Sequence, residues 1–237
     1  MADEVVEEAK MISEDEIDEA MNIFECIATR RSIRKFMDSD VPMEMLGTII
    51  DAGRYAPSAG NAQDYRFVII RNKDLIGKVS EACMQQLWMA QAPVLVVVCS
   101  DFEKLKMYYG IRGERFYSVQ NCAATVENML LAAHGLGLGS CWVSAFDEDA
   151  LRSAIGIPGN VRPMAVLPFG FPDEVVPVPM KLSIENVCYF ESYGNRVWNI
   201  DKVMINPDVF GRMSKAGTSI VEAGKTAFET YQKHKKK

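Results

Sequence analysis

The chain has 237 residues, 49% of them hydrophobic and 24% charged, which is ample apolar material for one substantial globular core. Its formal net charge of −6 argues against a general nucleic-acid binder, and no apolar run approaches the length of a membrane-spanning helix. The six cysteines are scattered without a Cys-x-x-Cys pair, so neither a metal centre nor a disulfide framework is indicated.

Acidic residues crowd positions 3–19, the opposite of a secretory signal peptide, and the chain closes on His234-Lys235-Lys236-Lys237. Both ends read as solvated, and the whole as a reduced, cytoplasmic protein. Residues 13–29 fit one acidic helix leading into Arg30-Arg31-Ser32-Ile33-Arg34-Lys35-Phe36, where positive charge concentrates. If that segment is extended, Arg30, Ser32 and Arg34 share one face, and Arg31, Ile33 and Lys35 the other. Two guanidiniums and a hydroxyl on one face suit a phosphate; a solvated basic turn is the plainer alternative.

Pro42 fits the first turn of a helix whose apolar face is Met45, Leu46, Ile49 and Ile50. Pro57 ends that stretch. Ser58, Ala59 and Gly60 then allow close backbone approach to a flat ligand, and Asn61 and Gln63 offer amides to a ring edge. Taken alone this is also an ordinary turn. Phe67 to Ile70 predicts a short strand. Leu75, Val79, Ala82, Cys83 and Leu87 recur at helical spacing, with Ala92-Pro93 as the stop. Val94 to Cys99 is apolar and β-branched, a strand covered on both faces.

Residues 114–134 predict the longest helix, with Val119, Ala123, Val126, Leu130 and Ala133 as its stripe. Gly135, Gly137 and Gly139 follow that helix, which suits a cap and turn better than a dinucleotide fingerprint. His134 reads as a helix-terminal residue interacting with the dipole. Cys141-Trp142-Val143 resumes as strand, Asp147 to Ile155 is a helix stopped by Gly156, and Met164 to Phe169 is another strand. Helices and strands mix throughout, which implies a sheet flanked by helices, α/β or α+β. Beyond Gly194 the period fades, although residues 214–231 have the composition of a helix.

The Arg-Arg-Ser-x-Arg pattern at Arg30 to Arg34 and Pro-Ser-x-x-Asn-x-Gln at Pro57 to Gln63 resemble, in this order, the nitroreductase family of FMN-dependent oxidoreductases. Further likeness lies in Ala132 to Trp142 and in Leu167-Pro168-Phe169-Gly170-Phe171-Pro172, so the resemblance runs from about Ile23 to Gly194.

The resemblance implies an α+β fold in three layers, with a mostly antiparallel sheet, and a homodimer with exchanged terminal segments. It implies an enzyme that takes hydride from NADH or NADPH and reduces a small acceptor, a nitroaromatic or quinone, by a ping-pong mechanism. FMN carries the chemistry, so no side chain is expected to be catalytic. Arg30, Ser32 and Arg34 would hold the phosphate, with Arg31 and Lys181 assisting. Pro57, Ser58 and Asn61 would meet the ribityl chain or ring edge, Ser144 the edge or phosphate side, and Pro168-Phe169-Gly170 the central ring through main chain. Gln85-Gln86 are further candidates for the ring.

Two departures stand out. Asp64-Tyr65 occupies the place of the family's common Pro-Trp, which bears on acceptor choice. Lys181 stands where many members place a phosphate-binding Arg. The implied organisation is an acidic arm (1–20), an FMN-binding domain (21–196) and an extension (197–237) packing on the dimer. Alternatives on the same scaffold are a reductive dehalogenase, a flavin-destroying enzyme, or a non-catalytic flavin-binding or regulatory protein.

Overall fold

The computed structural model describes residue 21 and residues 23–196. The acidic arm, the extension and the helix expected over 214–231 lie outside the described residues, and the helix expected over 13–29 is described only in its second half.

α1 (Ile23–Thr29) leads into the basic segment. α2 (Met43–Arg54) begins directly after Pro42, at φ −58°, and buries Leu46 and Ile49, as the spacing of its apolar residues predicts. β1 (Tyr65–Ile70) is followed by α3 (Lys73–Ala82), whose N-cap Asn72 accepts a hydrogen bond from the Leu75 amide. After β2 (Val94–Asp101) come α4 (Glu103–Arg112), a π-helical turn at Gly113–Tyr117, and the long α5 (Ser118–Gly135). β3 (Gly139–Ser140) is very short. α6 (Glu148–Ile155) is capped by Asp147, which accepts from the Ala150 amide, and ends at Gly156 in the left-handed region, as its sequence signals predict. β4 (Val161–Gly170) and the single turn α7 (Ile184–Val187) complete the described elements.

The strands form one antiparallel sheet in the order β1-β2-β4-β3. β2 lies in its middle and its side chains alternate between two cores. Val94, Val96 and Val98 pack with Leu46 and Ile49 of α2 and with Val126, Met129 and Leu130 of α5. Leu95, Val97 and Cys99 pack with Ile76 and Val79 of α3 and Leu151 of α6. The result is helices, sheet, helices: an α+β arrangement in three layers. All six cysteines are free thiols, and five are buried. No helix among the described residues is long and apolar enough to cross a membrane.

Four local expectations are corrected. The helix expected from Leu75 towards Pro93 stops at Ala82, because Met84 and Gln85 turn left-handed at φ +54° and +59°. The chain then enters a 3₁₀ turn, Leu87–Gln91, which drives Met89 into the core and leaves Leu87 exposed. The helix expected over 114–134 is present, with its first turn π-helical, Gly113–Tyr117, running into α5, but its buried face includes Ser118, Asn121 and Thr125, and Val119 points outward. α4 has no counterpart among the expected elements. Finally, Cys141 to Val143 is not a strand; Val143 alone rejoins the sheet, through a bridge to Val166.

Candidate functional site

The basic segment is extended because it is stitched to the end of the sheet. Ser32 bridges Ser140 in parallel, with the Ile33 amide donating to the Ser140 carbonyl at 2.9 Å. Phe36 bridges Pro172, and the Met37 amide donates to Phe171 at 2.9 Å. Ser140 in turn pairs with Phe169, so the basic segment, β3 and the end of β4 lie side by side. Two glycines make this approach possible. A Cβ on Gly139 would lie 2.8 Å from Ile33, and one on Gly170 would lie 2.8 Å from Pro93 and 2.9 Å from Phe36.

The alternation is as expected in its main lines. Arg31 and Ile33 turn inward and are buried, whereas Arg30 and Ser32 are half-buried and Arg34 is exposed. Lys35, placed on the inward face by strict alternation, is exposed as well. Cys141 reports how the outward groups converge. Burial raises its thiol pKa, against the pull of Arg34, a hydrogen bond with Ser32, and Arg30. The Arg34 guanidinium also lies 5.8 Å from the centre of the Trp88 ring. The Glu174 carboxylate accepts from the backbone amides of both Arg34 and Lys35, the latter at 3.0 Å, and so holds the main chain rather than the charges.

Within the described residues the segment therefore carries positive charge that no carboxylate pairs. Among the described residues, no ion pair joins the side chains of Arg30, Arg31, Arg34 or Lys35 to a carboxylate. Arg31 donates to the Ala28 and Arg30 carbonyls, yet its buried Nε and Nη2 have no hydrogen-bond partner among the described residues. Burial, and then Arg30, push its pKa below the ordinary guanidinium value. Two exposed or half-exposed guanidiniums and a hydroxyl, with no carboxylate paired to them among the described residues, are the donor set that an anionic ester needs.

His134, at the end of α5, differs from its expected role. Burial, then Arg30 and Arg31, lower its pKa to about 4, so it is neutral and does not act as a cation on the dipole. The Thr29 hydroxyl donates to the Glu25 carbonyl at 2.7 Å, which leaves its lone pair to accept from His134 Nε2–H, also at 2.7 Å. In an unfolded chain the imidazole titrates near 6.5, so between that value and about 4 the unfolded state binds more protons. This contribution to stability is present above pH 6.5 and lost as pH falls towards 4. The urea midpoint is expected to be lower at pH 5.5 than at pH 7.5, and His134→Gln to flatten that difference; an unchanged pH dependence in the variant would contradict this assignment.

The second segment is a strained loop. Gly60, Asn61 and Gln63 have φ of +55°, +52° and +50°, and left-handed backbone at two non-glycine residues is the kind of cost that clusters at functional sites. Ser58 accepts the Gln63 amide at 3.1 Å, and Gln63 Nε2 donates to Asn61 Oδ1 at 3.1 Å. Asp64 and Tyr65 do not face outward towards a ring. Asp64 is buried against Asn121 and Ser100, and the Tyr65 hydroxyl donates to the Arg54 carbonyl at 2.7 Å.

One chain does not bring the two segments together. The loop feeds β1 at Tyr65, opposite Ser100, whereas the basic segment adjoins the β4 end, where Phe169 faces Val94. Those corners are separated by four strand spacings across the sheet, about 19 Å, and by six residues along β2, about 20 Å. Pro168, Phe169 and Gly170 sit inside β4, Pro168 and Phe169 paired to β2 and Phe169 and Gly170 paired to β3, and the Phe169 side chain is in the core. Ser144 is exposed just past Val143. Lys181 is exposed, with no hydrogen bond or ion pair to the basic segment among the described residues. Gln85 lies in the left-handed turn, and Gln86 Nε2 reaches the Ala145 carbonyl at 3.4 Å. Glu174 and Trp88 carried no sequence signal; each touches the basic segment only through the tertiary fold.

The profile of the Nitroreductase family matches residues 27–90 and 83–171. Among curated relatives, a candidate NADH dehydrogenase/NAD(P)H nitroreductase of Methanothermobacter thermautotrophicus is 37% identical over 160 residues, covering 65% of this chain and 79% of its own. The FMN reductase [NAD(P)H] of Bacillus subtilis is 28% identical over 187 residues, covering 73% of this chain and 75% of its own. The crystal structure of a candidate NADH dehydrogenase/NAD(P)H nitroreductase from Bacteroides thetaiotaomicron superposes with a TM-score of 0.64 at 26% identity, covering 72% of this chain and 98% of that one.

Proposed function

This chain belongs to the nitroreductase family, and from that premise we propose that it is an FMN-dependent oxidoreductase that takes hydride from NADH or NADPH and reduces a small acceptor, a nitroaromatic or quinone. The names of the relatives support the cofactor and the donor class. The observation that carries the reading is the positive charge of Arg30 to Lys35, unpaired among the described residues and laid in extended form along the end of the sheet. The residues present fit a flavin phosphate: Arg30 and Arg34 supply forked donors, Ser32 a hydroxyl, and buried Arg31 a further positive field. Lys181 adds a point charge. When bound, FMN supplies the hydride chemistry; the protein binds, orients and tunes it.

The remaining candidates distribute over two copies of the chain. Pro57, Ser58 and Asn61 stand at the opposite corner of the sheet from the arginines, so the loop of one subunit serves the flavin held by the other. Exposed Ile23 and Ile27 on α1, Met43 on α2 and Val119 on α5 supply apolar surface for that association. In this homodimer, Pro168 to Gly170 present main chain towards the ring, and Ser144 lies on the edge or phosphate side. Donor and acceptor use one open face in turn, which gives ping-pong kinetics. The division into an arm (1–20), a binding domain (21–196) and an extension (197–237) that packs on the partner completes the proposal, as does a cytoplasmic location. The experiment that tests it is anaerobic reduction of the FMN-loaded protein by NADH or NADPH, followed in the visible spectrum.

A further inference from the structure

The left-handed loop needs something to hold it, and the holding group lies inside the protein. The Ala59 amide donates to Asn121 Oδ1 at 2.9 Å. Asn121 Nδ2 donates to Asp64 Oδ1 at 2.6 Å, and the Ser100 hydroxyl donates to the other Asp64 oxygen. The Asp64 main chain is fixed as well, its carbonyl accepting the Asp101 amide at 2.7 Å. Asp64 is 1% exposed, Asn121 4% and Ser100 0%, and no ion pair involves Asp64 among the described residues. Through Asn121 on α5, the residue that ends the loop is therefore linked to the amide that begins it.

An asparagine amide is ambiguous; its oxygen and nitrogen are nearly the same size, and either can face a neighbour. Here the choice matters, because a flipped Asn121 would set an NH₂ against the Ala59 N–H. An acceptor on its other side removes the ambiguity by drawing the NH₂ towards itself. We propose that Asp64 is the positioning residue of the cofactor-facing loop: it orients the Asn121 side chain, which then anchors the Ala59 amide and fixes Ser58 to Gln63 in the shape that meets the flavin. The proposal rests on the FMN reading for its consequence but not for its mechanism, since the linkage is made entirely of the protein's own groups. Asp64 acts on cofactor binding from behind the loop and touches neither donor nor acceptor.

Asn121→Ala severs the link and leaves Asp64 bonded to Ser100. Ser100→Ala removes one Asp64 partner on the side away from the loop and leaves the link intact. Asp64→Asn can keep it, because the new NH₂ can donate to a rotated Ser100 hydroxyl while its oxygen still accepts from Asn121. Two readouts apply: amide hydrogen exchange of residues 58–63 in the apoprotein, and the FMN dissociation constant by fluorescence titration. Asn121→Ala is expected to speed exchange in the loop and to weaken FMN binding about tenfold, the effect of losing one buried hydrogen bond. Asp64→Asn is expected to stay near wild type in both, and Ser100→Ala to lose stability without either change.

Wild-type exchange and affinity in Asn121→Ala would overturn the proposal. So would an equal loss of affinity in Ser100→Ala, which would reduce the network to general stability. If Asn121→Ala does not fold, Asp64→Ala, which leaves Asn121 in place but undirected, is expected to give the same two changes and overturns the proposal if it gives neither. If the wild type binds no FMN, the functional reading falls, and the exchange readout still decides the positioning.

Discussion

Replacing Arg34 with alanine is expected to raise the FMN dissociation constant about 10- to 100-fold, whereas Lys181→Ala changes it by less than about threefold. Arg34 belongs to a segment whose main chain is held on both sides, by the Ser140 carbonyl at Ile33 and by Glu174 at its own amide. Its guanidinium rests near the Trp88 ring, so little freedom is lost when it grips an anion. A charged, forked donor presented this way contributes more than a neutral hydrogen bond. Lys181 lies exposed, with no such hydrogen bond to its main chain among the described residues, and its flexible ammonium is screened by solvent. Titration of apoprotein with FMN at fixed ionic strength compares the two variants. Equal retention by both would count against the phosphate assignment.

Gly139→Ala is expected to destabilise the fold by about 1–3 kcal/mol and to weaken FMN binding with it. The added Cβ would lie 2.8, 2.9 and 3.1 Å from three carbons of Ile33, which is 2% exposed. Ile33 is β-branched and stiff at χ1, so it cannot swing aside as a long flexible chain would. The segment must shift as a whole, and Ile33 sits between Ser32 and Arg34. Gly135→Ala is the control. Beyond its own helix and chain neighbours, no atom would lie within 4 Å of a Cβ added there. Gly135 is exposed and ends a helix, so the urea midpoint of that variant is expected to stay level or rise slightly. A Gly139→Ala variant that unfolds like the wild type would contradict the close approach that builds the site.

Local signals were legible where one residue type enforces one conformation. Asp147 and Gly156 bracket α6, and Pro42 opens α2, because caps and prolines act within a few residues. The unbroken apolar run of β2 announced a strand covered on both faces. The left-handed turn at Met84 and Gln85 was not legible, since neither residue type prefers that region. α4 was missed for a related reason: Met107, Tyr108 and Ile111 are all exposed, so its apolar residues form no inward stripe to read.

The same limit applies at the site. The outward face of Arg30, Ser32 and Arg34 followed from alternation, but the partners that fix it did not, because Glu174 is 140 positions from Arg34. Asp64 was visible as a departure, yet its partners Ser100 and Asn121 lie 36 and 57 positions away. In the structure the Asp64 side chain lies buried behind the loop, against Ser100 and Asn121. His134 was misread because its burial, and the Arg30 and Arg31 charges that with burial keep it neutral, come from segments about a hundred positions away in the chain.

The most direct measurement is the visible absorption spectrum of the protein with FMN added, taken anaerobically before and after NADH or NADPH. The account predicts a protein-bound flavin band that one of the nicotinamides bleaches. A bound band that neither nicotinamide bleaches would contradict the reductase activity, and no bound flavin at all would contradict the reading of Arg30, Ser32 and Arg34 on which the activity rests.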